Sequence, residues 1–149
     1  MKNSYLAWFV LCYGLFSGNF IASRASSKAD YAEVTEVCRE RMNISFDDLD
    51  EIENTSEGLT KLINNDGEFK NYACYVACIL QESGWMLGNV IDVDTMKVDL
   101  ENWEIEDTEI KASYDETLET CIIPVAEADD ECDVALSFYV CSLKIIHDL

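Results

Sequence analysis

The stretch "NYACYVACIL" (residues 71–80) sets Cys74 and Cys78 in an apolar run with three residues between them. Two thiols so spaced could hold a metal, run redox chemistry, or staple this segment to two others. On a helix they share one face, with Cβ atoms ~5–6 Å apart. A disulfide wants Cβ atoms ~3.5–4.5 Å apart, so the two do not bond each other within an intact helix. Redox chemistry favours C-x-x-C at an activating helix end. Zinc favours closely spaced ligand pairs, and no second such pair with a nearby histidine is present. Structural disulfides are therefore expected, with no metal and no cofactor.

Outward from this segment, the cysteines are Cys12, Cys38, Cys74, Cys78, Cys121, Cys132 and Cys141. The chain opens with Lys2 and the apolar run Tyr5 to Phe16, followed by small residues at Ala22, Ser23 and Ala25. Such a run falls short of the ~20 residues that span a bilayer. It reads as a secretory signal over residues 1–25, cut near 23–25, which takes Cys12 with it. The remaining residues, 26–149, form one domain. An even set of six cysteines in a small secreted chain points to three bridges. Cys132 and Cys141 lie nine residues apart, which is about 13.5 Å along a helix, so they do not pair either. The other pairings stay open on geometry alone.

The chain carries 30 acidic and 10 basic residues for a net charge of −20, which becomes −22 once Lys2 and Arg24 leave. That surface repels nucleic acid and anionic membrane, so neither is an expected partner. It favours solubility.

Helical spacing dominates the rest. Ala29 to Met42 reads as a first helix, with Val34 and Cys38 four apart. "SFDDLDEI" reads as a second, capped by Ser45 or Asp47. Asn54 to Gly67, rich in Asn, Gly and Thr, reads as a long loop with at most one weak turn of helix. A third helix is expected from about Glu68 to Glu82, with Asp66 as cap and Gly84 as terminator. "WMLGNVIDVD" (residues 85–94) reads as a connection. Asp94 is expected to cap a short fourth helix, Thr95 to Asn102.

A fifth helix starts at Asp107 or Thr108, with Ile110, Tyr114, Leu118, Cys121 and Ile122 in one stripe and Pro124 as its stop. The sixth, in residues 129–146, is apolar around its circumference, with Val134, Leu136, Phe138, Tyr139 and Leu143 spread over all sides. A helix apolar on every side is surrounded by others. The expected fold is all-α, six helices packed around the last.

The gaps between the six cysteines are 35, 3, 42, 10 and 8 residues. In this the chain resembles the insect odorant-binding proteins, the pheromone-binding and general odorant-binding family. Their signature has three residues between the second and third cysteines and eight between the fifth and sixth, as in Cys74-x3-Cys78 and Cys132-x8-Cys141. The first gap is longer than the family leads one to expect, and the excess is assigned to the Asn54 to Gly67 loop.

The resemblance implies a disulfide-stapled helical fold with an internal apolar cavity and bridges Cys38–Cys78, Cys74–Cys132 and Cys121–Cys141. It implies a secreted, extracellular carrier of small hydrophobic ligands such as odorants or pheromones. Expected lining residues are Trp85, Met86, Leu87, Met96 and Trp103, with Tyr114, Leu118, Phe138, Tyr139 and Ile145 opposite. Beyond the ligand, a second copy in a homodimer and a membrane receptor that takes delivery are the partners expected.

The tail "SLKIIHDL" (residues 142–149) is read as a lid that His147, the only histidine, loosens as pH falls. Asn43 and Asn54 begin glycosylation sequons. An enzyme is not expected, since no G-x-S-x-G and no helical His–Asp pair is present. A saposin-like lipid binder would need a closer opening pair of cysteines than Cys38 and Cys74. The alternative is an extracellular signalling or interaction protein, or a non-olfactory carrier, of the same fold.

Overall fold

The structure, a computed structural model, describes residues 28–64, 69–102, 108–122 and 130–146. The expected signal segment and its expected cut, together with Asp66, Trp103, Asp107, Pro124 and His147, lie outside the described residues. Within them the chain is all-α with one small hairpin.

Helix α1 (Lys28–Arg41) hands over to α2 (Phe46–Asn54) through a tight turn in which Asn43 takes φ 53°. Arg39 holds that turn. Its guanidinium pairs with Glu36 at 2.6 Å, donates to Ile44 O at 3.0 Å and lies 4.2 Å over the Phe46 ring. Ser45 caps α2 in a capping box, its Oγ accepting from Asp48 N at 3.1 Å while Asp48 Oδ2 accepts from Ser45 N at 3.2 Å. Between Ser45 and Asp47, the cap is Ser45.

The expected Asn54 to Gly67 loop is instead largely a helix, α3 (Ser56–Asn64). Thr55 closes one helix and opens the next. Its Oγ1 donates to Glu51 O at 2.6 Å and accepts from Gly58 N at 2.9 Å. Gly58 lets the two helices meet, since a Cβ there would lie 2.7 Å from Ile52 O and closer still to Glu51 O. Leu62 is then buried completely. The polar composition of the segment hid a helix that exists by packing on α2.

Helix α4 (Lys70–Glu82) carries the stretch 71–80 and buries most of its circumference. Gly84, at φ 75°, ends it as expected. Trp85 N donates to Leu80 O at 2.8 Å and Gly84 N to Gln81 O at 3.0 Å, the paired bonds of a Schellman cap. The expected connection after it contains an antiparallel hairpin, β1 (Met86–Leu87) and β2 (Val90–Ile91), turned at Gly88 with φ 60°. A Gly-Asn pair suits such a two-residue turn.

The following helix, α5 (Val93–Asn102), is capped by Asp92 rather than Asp94. Asp92 Oδ1 accepts from Thr95 N at 3.0 Å and Oδ2 from Thr95 Oγ1 at 2.8 Å. Helix α6 (Thr108–Thr120) stops before the expected proline, so Ile122 leaves the apolar stripe and stands exposed.

Helix α7 (Glu131–Ile146) is the centre. It packs chiefly on α4, and also on α6, α3 and β2. Val134, Ala135, Leu136, Phe138 and Leu143 are all buried. There are thus seven helices among the described residues where six were expected, and the extra one is α3.

Disulfides join Cys38 to Cys78, Cys74 to Cys132 and Cys121 to Cys141, the same pairs that the resemblance implies. They tie α1 to α4, α4 to α7, and the end of α6 to α7. Lys70 reinforces the second junction, reaching Asp130 at 2.6 Å and Asp133 at 3.3 Å from the first turn of α4.

Candidate ligand-binding site

The apolar interior is the only place where the described residues gather the expected lining. Trp85, Met86, Met96, Leu118 and Phe138 are buried in one cluster, and Tyr139 and Ile145 pack against it half-buried. Five different parts of the chain supply them. The Schellman turn delivers Trp85, the hairpin Met86, α5 Met96, α6 Leu118 and α7 Phe138. Tyr114 is half-buried on α6 with its hydroxyl out of solvent.

Leu87 does not belong to this set. It stands 83% exposed, because successive residues of a strand face opposite ways and its neighbour Met86 takes the inner one. Reading 85–94 as a plain connection hid that alternation. Trp103 lies outside the described residues.

Several polar groups enter the interior, and Trp85 and Tyr72 are each tied to a carboxylate. Trp85 Nε1 donates to Asp99 Oδ2 at 2.6 Å, which fixes the indole against α5. Tyr72, on α4, donates its hydroxyl to Glu53 Oε1 of α2 at 3.0 Å. Its ring also lies 5.9 Å from Tyr75 and 6.0 Å from Tyr139, centroid to centroid. Burial pushes the Tyr72 phenol well up, helped by the neighbouring Tyr139 and Glu53. Burial also pushes the Glu53 carboxyl up, and the Tyr72 hydrogen bond only partly opposes it. The interior therefore favours uncharged forms of both.

Glu53, Tyr72, Tyr75 and Asp99 were not singled out by the sequence. Tyr72 and Tyr75 carried a usable signal, being one turn apart on the face of α4 beside the cysteines. Glu53 and Asp99 carried none, since nothing local separates them from the many surface carboxylates.

The six cysteines of residues 38–141, all joined in disulfides, offer no thiolate for metal or redox work. Among the described residues no helix is long and apolar enough to cross a membrane.

Comparison with known proteins converges on one family. The model of the PBP/GOBP family matches residues 22–145. The chain is 28% identical over 147 residues to "Pheromone-binding protein Gp-9" of Solenopsis xyloni, covering 96% of this chain and 92% of that one. The protein of the same name in Solenopsis aurea gives the same figures. That of Solenopsis nigella gensterblumi is 27% identical over 126 residues, covering 82% of this chain and 80% of its own. No solved structure matches the chain.

Proposed function

The chain belongs to the PBP/GOBP family, and from that premise we propose that it is a secreted carrier of small hydrophobic ligands. It takes them into an internal cavity lined by the Trp85, Met86, Met96, Leu118 and Phe138 cluster and carries them through aqueous extracellular fluid. The observation that carries this reading is a large apolar interior with few polar groups, held in a covalent frame. Ligand sites are mostly apolar with a few placed polar atoms. Methionines adapt to the shape of what they meet.

The frame explains how such an interior is tolerated. Each empty volume in a core costs stability through lost contacts. Each bridge recovers roughly 3–4 kcal/mol by restricting the unfolded chain, in the chain-entropy model. Disulfides persist in oxidising compartments, which supports secretion alongside the apolar amino-terminal segment. The relatives' names support a pheromone or similar semiochemical as ligand. Homodimer formation and delivery to a membrane receptor are later steps that this reading does not require.

The test is displacement of a fluorescent apolar probe from the folded, oxidised protein. The probe should bind with micromolar affinity and be displaced by volatile hydrophobic compounds. Absence of probe binding would overturn the carrier reading in favour of an extracellular interaction protein of the same fold.

A further inference from the structure

Two polar residues are buried among the described residues, Thr117 at 4% exposure and Ser142 at 5%. They behave in opposite ways. Ser142 Oγ donates back to Phe138 O of its own helix at 2.8 Å. The helical hydroxyls of Thr35, Thr60 and Ser113 do likewise, each bonding a carbonyl one turn earlier. Thr117 Oγ1 does not, and finds no hydrogen-bond partner among the described residues. A buried hydroxyl left unpaired is costly, and a self-satisfying alternative was one turn away.

We propose that Thr117 is a ligand-binding residue, its hydroxyl taking the oxygen of an uncharged, otherwise apolar ligand such as an alcohol, ester or ketone. This rests on the carrier reading above and narrows its ligand class. On α6, Thr117 stands one turn from Cys121, whose bridge to Cys141 fixes that side of the helix toward α7. Leu118 beside it is buried in the same apolar cluster as Phe138. Trp85 Nε1 and the Tyr72 hydroxyl of the same cluster already donate to Asp99 and Glu53, whereas the Thr117 hydroxyl is left for a ligand.

Charge decides between neutral and ionic ligands. Every Lys or Arg whose side chain is described is exposed or half-buried, and Arg39, the most enclosed among those in ion pairs, is tied to Glu36. A ligand carboxylate would enter without a counter-ion, which a low-dielectric interior penalises heavily. A neutral oxygen needs only one hydrogen bond. Thr117 can supply it as donor or acceptor.

The experiment compares octanol and octyl acetate with octane as displacers of the apolar probe from wild type, Thr117→Val and Thr117→Ser. Thr117→Val keeps the shape and removes the hydroxyl. It should weaken octanol and octyl acetate about three- to tenfold, leave octane unchanged, and unfold at the same or a higher temperature without ligand. Thr117→Ser should keep the preference for oxygenated ligands. Unchanged octanol affinity in Thr117→Val, or equal weakening of octane and octanol, overturns the role of the hydroxyl while the carrier reading stands. A wild type that binds neither the probe nor any of the three compounds overturns both.

Discussion

Two pairs of helices in this molecule are held together by different means. The pair α4 and α7 shares the Cys74–Cys132 bridge, the Lys70 ion pairs and a broad apolar contact. The pair α2 and α3 has no bridge. It meets through a close backbone approach at Gly58, the two-way hydroxyl of Thr55 and the burial of Leu62, and attaches to α4 through Glu53 and Tyr72. The first pair is locked by covalent topology, whereas the second stays in place only while its packing is good. A molecule built this way has a rigid spine and a side that yields first.

The largest test of that contrast is to cut the spine. Replacing Cys74 and Cys132 together by serine opens the longest loop, a separation of 58 residues, and should cost about 4 kcal/mol in the chain-entropy model. The same change at Cys121 and Cys141, separated by 20 residues, should cost about 3 kcal/mol. Urea unfolding of the oxidised proteins ranks the two, and a reversed order would show that entropy of the unfolded chain is not what the bridges contribute.

Next comes the unstapled side. Alanine is the better helix former, so Gly58→Ala would ordinarily stabilise by ~1 kcal/mol. Here the added methyl collides with backbone oxygens of α2, and a loss of about 1–3 kcal/mol is expected from overpacking. A gain in stability would break the comparison, since it would mean that α2 and α3 are not in close approach.

A smaller effect is expected at the entry to α2. Ser45→Ala should cost ~1 kcal/mol by removing the cap, while Asp47→Ala should cost clearly less. Equal losses would remove the capping box as the start signal.

The smallest effect is a pH dependence where the two regions join. Burial raises the Glu53 carboxyl above its ordinary value, so the fold favours the protonated form. That contribution is complete below the unfolded value of ~4.3 and is lost as pH rises through the folded value. Glu53→Gln has no proton to lose and still accepts from Tyr72. It should match wild type near pH 4 and exceed it in thermal stability at neutral pH. A constant difference across pH would show that Glu53 is not held in a dry site.

How far the sequence could be read follows the same division. The spine was legible because its signals are local: helical spacing around Cys74 and Cys78, an apolar run with no polar side in residues 131–146, and Gly84 placed to end α4. The first helix and the second were legible for the same reason. Helix α3 was not, since its Asn, Gly and Thr residues each favour turns in isolation and only contact with α2 reverses that. The hairpin escaped because two-residue strands leave almost no periodicity, and Leu87 was turned the wrong way as a result. Asp92 took the cap expected of Asp94 because β2 ends one residue before it and sets where α5 begins.

The lining set was read from residue type, and burial sorted it. Trp85, Met86, Met96, Leu118 and Phe138 went inside, which apolar side chains do wherever neighbours can cover them.

What the sequence determined alone is the helical class, the spine and the face that Cys74 and Cys78 share, because 3.6-residue periodicity is a property of the chain itself. The joining of α1, α4, α6 and α7 through three disulfides rested on resemblance until the structure placed the sulfurs together. Tertiary structure alone decided which carboxylate packs half-buried against Tyr72 and that Thr117 Oγ1 was left without a partner among the described residues. Burial is set by neighbours distant in sequence, and no local pattern records who they will be.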